Sequence, residues 1–344
     1  MAFRPFKAPR WLLSSHLQTL GAALPLWAPP RGFRAADVQR LRIPVPASNG
    51  GAAGALHGYA FWHAGKDPRP VVVLVHGVGG SSESRYVVRA AVSLYRAGWH
   101  VVRLDLRGAG ESIADAPTLY HAGLTEDPRL ALEHLAKDPR VSGVALVGFS
   151  LGGHVLLCLA GELAEGAAES SLRAVVSISA PVDLTRVTRA IERRRSLPYH
   201  QYVLRKLIQQ GRAFARTHPT RAKFDASVLR RLRSIRAYDA HVIAPMHGFA
   251  SAEDYYQRAS AGPLLKDIRV PTLIVHAEDD PMVPAEDVHT WLASASSSVE
   301  HVVTTRGGHV GWFAALDEAS WIDTWAMKET IAFLGKHAPV PAAR

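Results

Sequence analysis

Residues 144–153 read Val144-Ala145-Leu146-Val147-Gly148-Phe149-Ser150-Leu151-Gly152-Gly153, and the apolar run Val155-Leu156-Leu157-Cys158-Leu159-Ala160 follows shortly. A short apolar strand, a G-x-S-x-G turn and an apolar helix in direct succession form a strand–turn–helix unit. The sharp turn lifts the Ser150 hydroxyl off the end of the strand. Small residues at 148, 152 and 153 let strand and helix cross closely, and the helix N-terminus places positive partial charge beside the hydroxyl. A glycine-rich turn with no chemistry is the bland alternative, and the flanking elements argue against it.

The same grammar extends in both directions. Residues 71–75 are continuously apolar and rich in valine, as in a strand buried on both faces. Helical patterning over 83–97 leads to a strand at 100–106, a helix at 127–136 and the unit just described, whose helix runs over 151–163. Strands at 174–179, 272–276 and 300–304 follow, with helices at 285–293 and about 319–334. Upstream, 40–46 and 55–62 read as strands joined by the turn Asn49-Gly50-Gly51. Alternation of this kind predicts a mostly parallel twisted sheet with helices on both faces. The first 36 residues read as an irregular N-terminal extension packed on the core, with exposed-looking Phe3, Phe6, Trp11 and Trp27 and a break at Pro29-Pro30. A core over 37–182 and 263–344 is interrupted by residues 183–262. That stretch is too long for an ordinary connection and reads as a helical cap over the carboxyl ends of the strands.

A serine needs a base, and the base needs an orienting acid. In a sheet of this type the chain order is Ser, then Asp or Glu, then His. The strand at 272–276 runs into Ala277-Glu278-Asp279-Asp280-Pro281, which makes Asp280 the candidate acid and Asp279 the alternative. The next strand ends in Arg306-Gly307-Gly308-His309, which puts His309 on the neighbouring loop. The chain has 17 histidines, and position after the last strand singles out this one. His76 is expected to shape its loop, and His154 to pack or line the pocket. The glycine-rich His76-Gly77-Val78-Gly79-Gly80 follows the 71–75 strand. It offers the backbone N–H of Val78, with that of Leu151, as an oxyanion-binding pair. It lacks the G-K-[ST] ending of a phosphate-binding P-loop.

Composition sets bounds. The 344 residues are 48% hydrophobic and 20% charged, a globular balance, and no apolar run approaches bilayer-spanning length. No signal-peptide pattern opens the chain, so a cytoplasmic location is the expectation. A single cysteine excludes an intrachain disulfide and a multi-cysteine zinc site. The histidines show no metal-ligand spacing, and no cofactor is implied. The net charge of +10 is concentrated: residues 184–236 hold 15 Lys/Arg against Glu192 and Asp225, a local +13, leaving −3 elsewhere. A solvated cap face is favoured over nucleic-acid binding. Weak association with anionic membrane surfaces, aided by Phe3, Phe6 and Trp11, is the more plausible use of that charge.

Several segments resemble the α/β-hydrolase superfamily and, within it, the YheT-like branch. They are His16-Leu17-Gln18-Thr19, the 76–81 loop with Arg85-Tyr86-Val87, Tyr120-His121-Ala122-Gly123-Leu124-Thr125-Glu126-Asp127, Gly148–Gly153, Asp279-Asp280-Pro281 and Gly307-Gly308-His309-Val310-Gly311. His154 departs from the branch, which usually has Asn there. The resemblance implies an α/β-hydrolase fold and a serine carboxylic ester hydrolase acting on short- to medium-chain acyl esters, some of them lipid-derived. The alternatives are an alcohol O-acyltransferase using the same acyl-enzyme, or a basic protein that binds anionic surfaces. Substrate identity carries over least, because the basic cap holds no recognised motif. The residues leave the oligomeric state open.

Overall fold

The computed structural model describes residues 3–24, 38–47, 52–65, 67–163, 171–315 and 322–341. The turn at 49–51, Trp27, the break at 29–32 and the start of the final helix near 319 lie outside these residues. Eight strands form one sheet: β1 Gln39–Val45, β2 Gly54–Phe61, β3 Arg69–Val75, β4 His100–Asp105, β5 Val141–Phe149, β6 Leu172–Ile178, β7 Thr272–Ala277 and β8 Val299–Thr304. Their order is β1-β2-β4-β3-β5-β6-β7-β8. β2 pairs antiparallel with β1 and with β4, and every later pairing is parallel.

The described helices of eight residues or more are α1 Ser15–Ala23, α2 Arg85–Arg96, α3 Glu126–Ala136, α4 Leu151–Glu162, α5 Leu184–Ile191, α6 Leu197–Thr217, α7 Ala252–Ala259, α8 Ala285–Leu292 and α9 Trp325–His337. The continuous apolar run of β3 is explained by two cores. Val71, Val73 and Val75 pack with residues of α3, α4 and α8, whereas Val72 and Leu74 pack with residues of α2 and α9. Each such side chain contributes on the order of 1.5–3 kcal/mol when fully buried.

Between β6 and β7 the chain leaves the sheet for α5, α6, a series of short helical turns and α7. This segment has its own apolar cluster, in which Phe214, Leu229 and Val242 are fully buried. The burial of α6 shows why it folds there. His200, Val203, Leu204, Leu207, Gly211 and Phe214 form one stripe at helical spacing. Arg205, Arg212 and Arg216 stay exposed, as do Arg193, Arg194, Arg195, Arg230 and Arg231 nearby.

The N-terminal residues differ from the irregular, exposed segment expected. Ser15–Ala23 is helical. Phe3 and Phe6 pack against the α9 side of the core, with the Phe6 ring 5.8 Å from that of Trp325. Neither is a free surface anchor. Trp11 is exposed. Among the described residues no helix is long and apolar enough to cross a membrane.

Candidate active site

The turn after β5 puts Ser150 at φ 51°, ψ −120°, a left-handed conformation that a residue with a side chain rarely adopts. The strain is held by the surroundings. The Ser150 N–H donates to Ile178 O at 2.8 Å, and the Ser150 carbonyl accepts from His154 N at 3.0 Å. A Cβ on Gly148 would sit 2.5 Å from the Gly152 backbone, and one on Gly152 would sit 2.4 Å from Val75 O. Only glycine fits at either position, because strand and helix cross at backbone contact.

β7 ends at Ala277, and the following turn delivers both aspartates toward the loop after β8. They do different things. Asp280 Oδ2 accepts from His309 Nδ1 at 2.7 Å, and its Oδ1 accepts from the N–H groups of Met282 and Val283 at 2.8 and 3.0 Å. Burial works against the Asp280 charge, but His309 and these donors hold the carboxyl below its ordinary range. Asp279 takes the Gly308 N–H at 2.9 Å, so it braces the backbone of the histidine loop and not the ring. Burial pushes the Asp279 carboxyl up, against the N–H groups of Gly308 and Gly307.

His309 has a second support from far away in sequence. Its N–H donates to Thr19 Oγ1 at 2.8 Å. Next to Thr19, Gln18 Nε2 donates to Phe313 O at 3.1 Å, and Gln18 Oε1 accepts from Phe313 N at 2.7 Å. Gln18 and Thr19 lie in the H-L-Q-T segment, whose role composition and spacing did not reveal. Two tyrosines fix the 76–80 loop: Tyr86 OH accepts from Gly77 N at 2.9 Å and Tyr120 OH from Gly79 N at 2.7 Å. Among the described residues, no hydrogen bond occupies the N–H of Val78 or of Leu151. Val78, Leu151, Ser150 and His309 line one cavity of about 120 Å³, roofed by residues of the β6–β7 segment. Ser150 and His309 face this cavity without a direct hydrogen bond, a looseness common before substrate binds.

The remaining sequence candidates take other places. His76 is fully buried, with Nδ1 donating to Gly77 O at 2.8 Å and Nε2 accepting from Leu106 N at 3.3 Å, so it ties the loop to the end of β4. His154 packs and does not line the cavity. Its ring nitrogens face the carbonyls of Pro181 and Ala259, linking α4 to the end of α7. Cys158 is buried, and burial pushes its thiol up, far from thiolate reactivity. Among the described residues no group of three His, Cys, Asp or Glu is placed to hold a metal. Asp239, which also lines the cavity, carried no sequence signal beyond its position in the basic segment.

Fold and site together define an α/β hydrolase, and residues 70–314 match the family described as alpha/beta hydrolase fold. The chain belongs to that family and, within it, to the YheT-like branch. It is 33% identical over 258 residues to the putative esterase YheT of Escherichia coli, covering 74% of this chain and 75% of that protein. It is 28% identical over 263 residues to a monoacylglycerol lipase of Saccharomyces cerevisiae, covering 74% of this chain but 57% of the yeast protein. Among solved structures, the esterase Pf2001 of Pyrococcus furiosus superposes with a TM-score of 0.57 at 15% identity, over 98% of this chain and all of the other, a likeness of fold.

Proposed function

We propose that this protein is a serine carboxylic ester hydrolase working through an acyl-enzyme on Ser150. His309 takes the proton as Ser150 Oγ attacks the ester carbonyl, then returns it to the leaving alcohol. Asp280 holds the imidazole with Nδ1 protonated and stabilises the imidazolium that forms. The N–H groups of Val78 and Leu151 receive the oxyanion. Water, activated by the same histidine, releases the acid. The observation that carries the reading is the 2.7 Å Asp280–His309 hydrogen bond beside a strained serine on one shared cavity. The names of relatives, esterase and lipase, agree with ester chemistry.

The cavity bears on chain length. A space of about 120 Å³ is slightly smaller than the roughly 150 Å³ that accommodates benzene, which suits acyl groups of roughly four to six carbons. Hydrolysis of p-nitrophenyl esters from acetyl to palmitoyl, with Ser150→Ala as the blank, tests this. The expected profile peaks at butyryl to hexanoyl and vanishes in the variant, which keeps the wild-type melting temperature. Near-wild-type turnover by purified Ser150→Ala protein would overturn the assignment. Added ethanol separates the two fates of the acyl-enzyme, since free acid marks hydrolysis and ethyl ester marks transfer.

A further inference from the structure

The Ser150 cavity is mostly apolar, with side chains such as Leu184, Val187, Ile191 and Val203 forming much of its wall. One carboxylic acid interrupts that wall. Asp239 is buried and lines the cavity, yet among the described residues its side chain has a single hydrogen bond, from Tyr256 OH to Oδ2 at 2.6 Å. Tyr256 and Thr188, whose hydroxyl lies beside the Tyr256 phenol, line the same cavity. Among the described residues no arginine, lysine or histidine pairs with Asp239. Among the described residues its Oδ1 has no hydrogen-bond partner, on a side chain that lines the cavity.

Stability alone does not account for this arrangement. A carboxyl taken out of water with one partner is costly relative to an apolar residue of similar size. Burial, with Glu192 adding repulsion against the Tyr256 hydrogen bond, pushes the Asp239 carboxyl up to about 7. Near neutral pH it can therefore both donate and accept. The backbone is also unusual at this point: Asp239–Ile243 is one turn of π-helix, and both of its end residues line the cavity. Such wide turns occur often at functional sites.

We propose that Asp239, held by Tyr256, is a polar subsite that selects ester substrates carrying a hydroxyl group on the portion that fills the cavity. A hydroxyl suits the space better than an ammonium, because an apolar pocket with no second acid would desolvate the cation at high cost. A site built to hydrogen-bond a substrate hydroxyl rejects the analogue lacking it, since its own polar group is then left unpaired.

This inference rests on the ester hydrolase reading, and the test separates the two. Two arms place the hydroxyl on either side of the ester. One compares p-nitrophenyl ω-hydroxyacyl esters of increasing length with esters in which methyl replaces the hydroxyl. The other compares 2-hydroxyethyl butyrate with propyl butyrate. On one arm, wild-type kcat/KM should favour the hydroxylated member by tenfold or more. Asp239→Leu should bring that ratio to one or below, and Tyr256→Phe should reduce it in part. The isosteric Asp239→Asn, which keeps a donor and an acceptor, should retain part of the preference and covers the case in which the leucine variant does not fold. Equal or lower wild-type rates on both hydroxylated series, while the simple esters are cleaved, would overturn the subsite and leave the hydrolase reading standing. An unchanged ratio in Asp239→Leu would reduce Asp239 to a structural residue. No Ser150-dependent cleavage of any ester would bring down both.

Discussion

The carboxyl edge of the sheet and the helical segment above it enclose the same cavity under different constraints. At the sheet edge, position is set by backbone. β5, the crossing of α4 and the turns after β7 and β8 leave Ser150, Asp280 and His309 little freedom, and glycine at 148 and 152 is required by contact distance. In the helical segment, position is set by an apolar stripe that many sequences would satisfy. What it contributes to the cavity is a choice of side chains, Asp239 and Tyr256 among them. Chemistry built on the first kind of constraint can stay fixed while recognition built on the second is altered.

The largest effect that would sharpen this contrast concerns the two neighbouring aspartates. Asp280→Asn should lower kcat on a butyryl ester by about 10⁴-fold, because the amide no longer holds the imidazole in its working tautomer. Asp279→Asn, at a side chain that meets the backbone of the histidine loop and not the ring, should cost less than about tenfold, in line with weakened backbone hydrogen bonds. Equal losses from the two substitutions would break the assignment of the ring partner.

A second prediction tests the rigidity of the sheet side. Asp127 is fully buried, accepts from Arg107 Nε at 2.6 Å and Arg107 N at 2.8 Å, and joins the loop after β4 to α3. Asp127→Ala leaves the Arg107 guanidinium buried, with Glu126 as its one remaining ion partner among the described residues. It should destabilise the fold by about 3–5 kcal/mol, read as a lower urea midpoint. A loss under about 1 kcal/mol, typical of an exposed pair, would mean that the edge is less constrained than described.

The smallest effect belongs to α1. Thr19→Val removes the acceptor for the His309 N–H at 2.8 Å and should cost about 1–3 kcal/mol, divided between stability and kcat. Wild-type values of both would show that the histidine loop does not need this support.

Legibility in the sequence followed the same division. β3, β5 and α4 are nearly continuous apolar runs because both faces of the sheet are covered, and the glycine pattern around Ser150 has one geometric solution. His309 could be found from its place after the last strand. Asp280 could not be separated from Asp279, since one residue of register in a turn decides which carboxylate meets the ring. α1 was missed because nine residues with Gly21 in the last turn have little intrinsic helix preference. Its tie to Phe313 crosses 295 positions, a contact that no local pattern announces. Asp239 was missed for a related reason. An acid among basic residues reads as a surface charge until its helix is folded down onto the cavity.

The clasp between Thr19 and the histidine loop has a consequence for synthesis. The two partners of the Thr19–His309 bond are 290 residues apart. At roughly 5–20 residues per second on a ribosome, α1 emerges well before the loop it will hold. Throughout that interval the helix has no loop to grip, and the candidate base has not been made. Ester cleavage by the nascent chain should therefore begin only after the segment beyond Phe313 has left the exit tunnel.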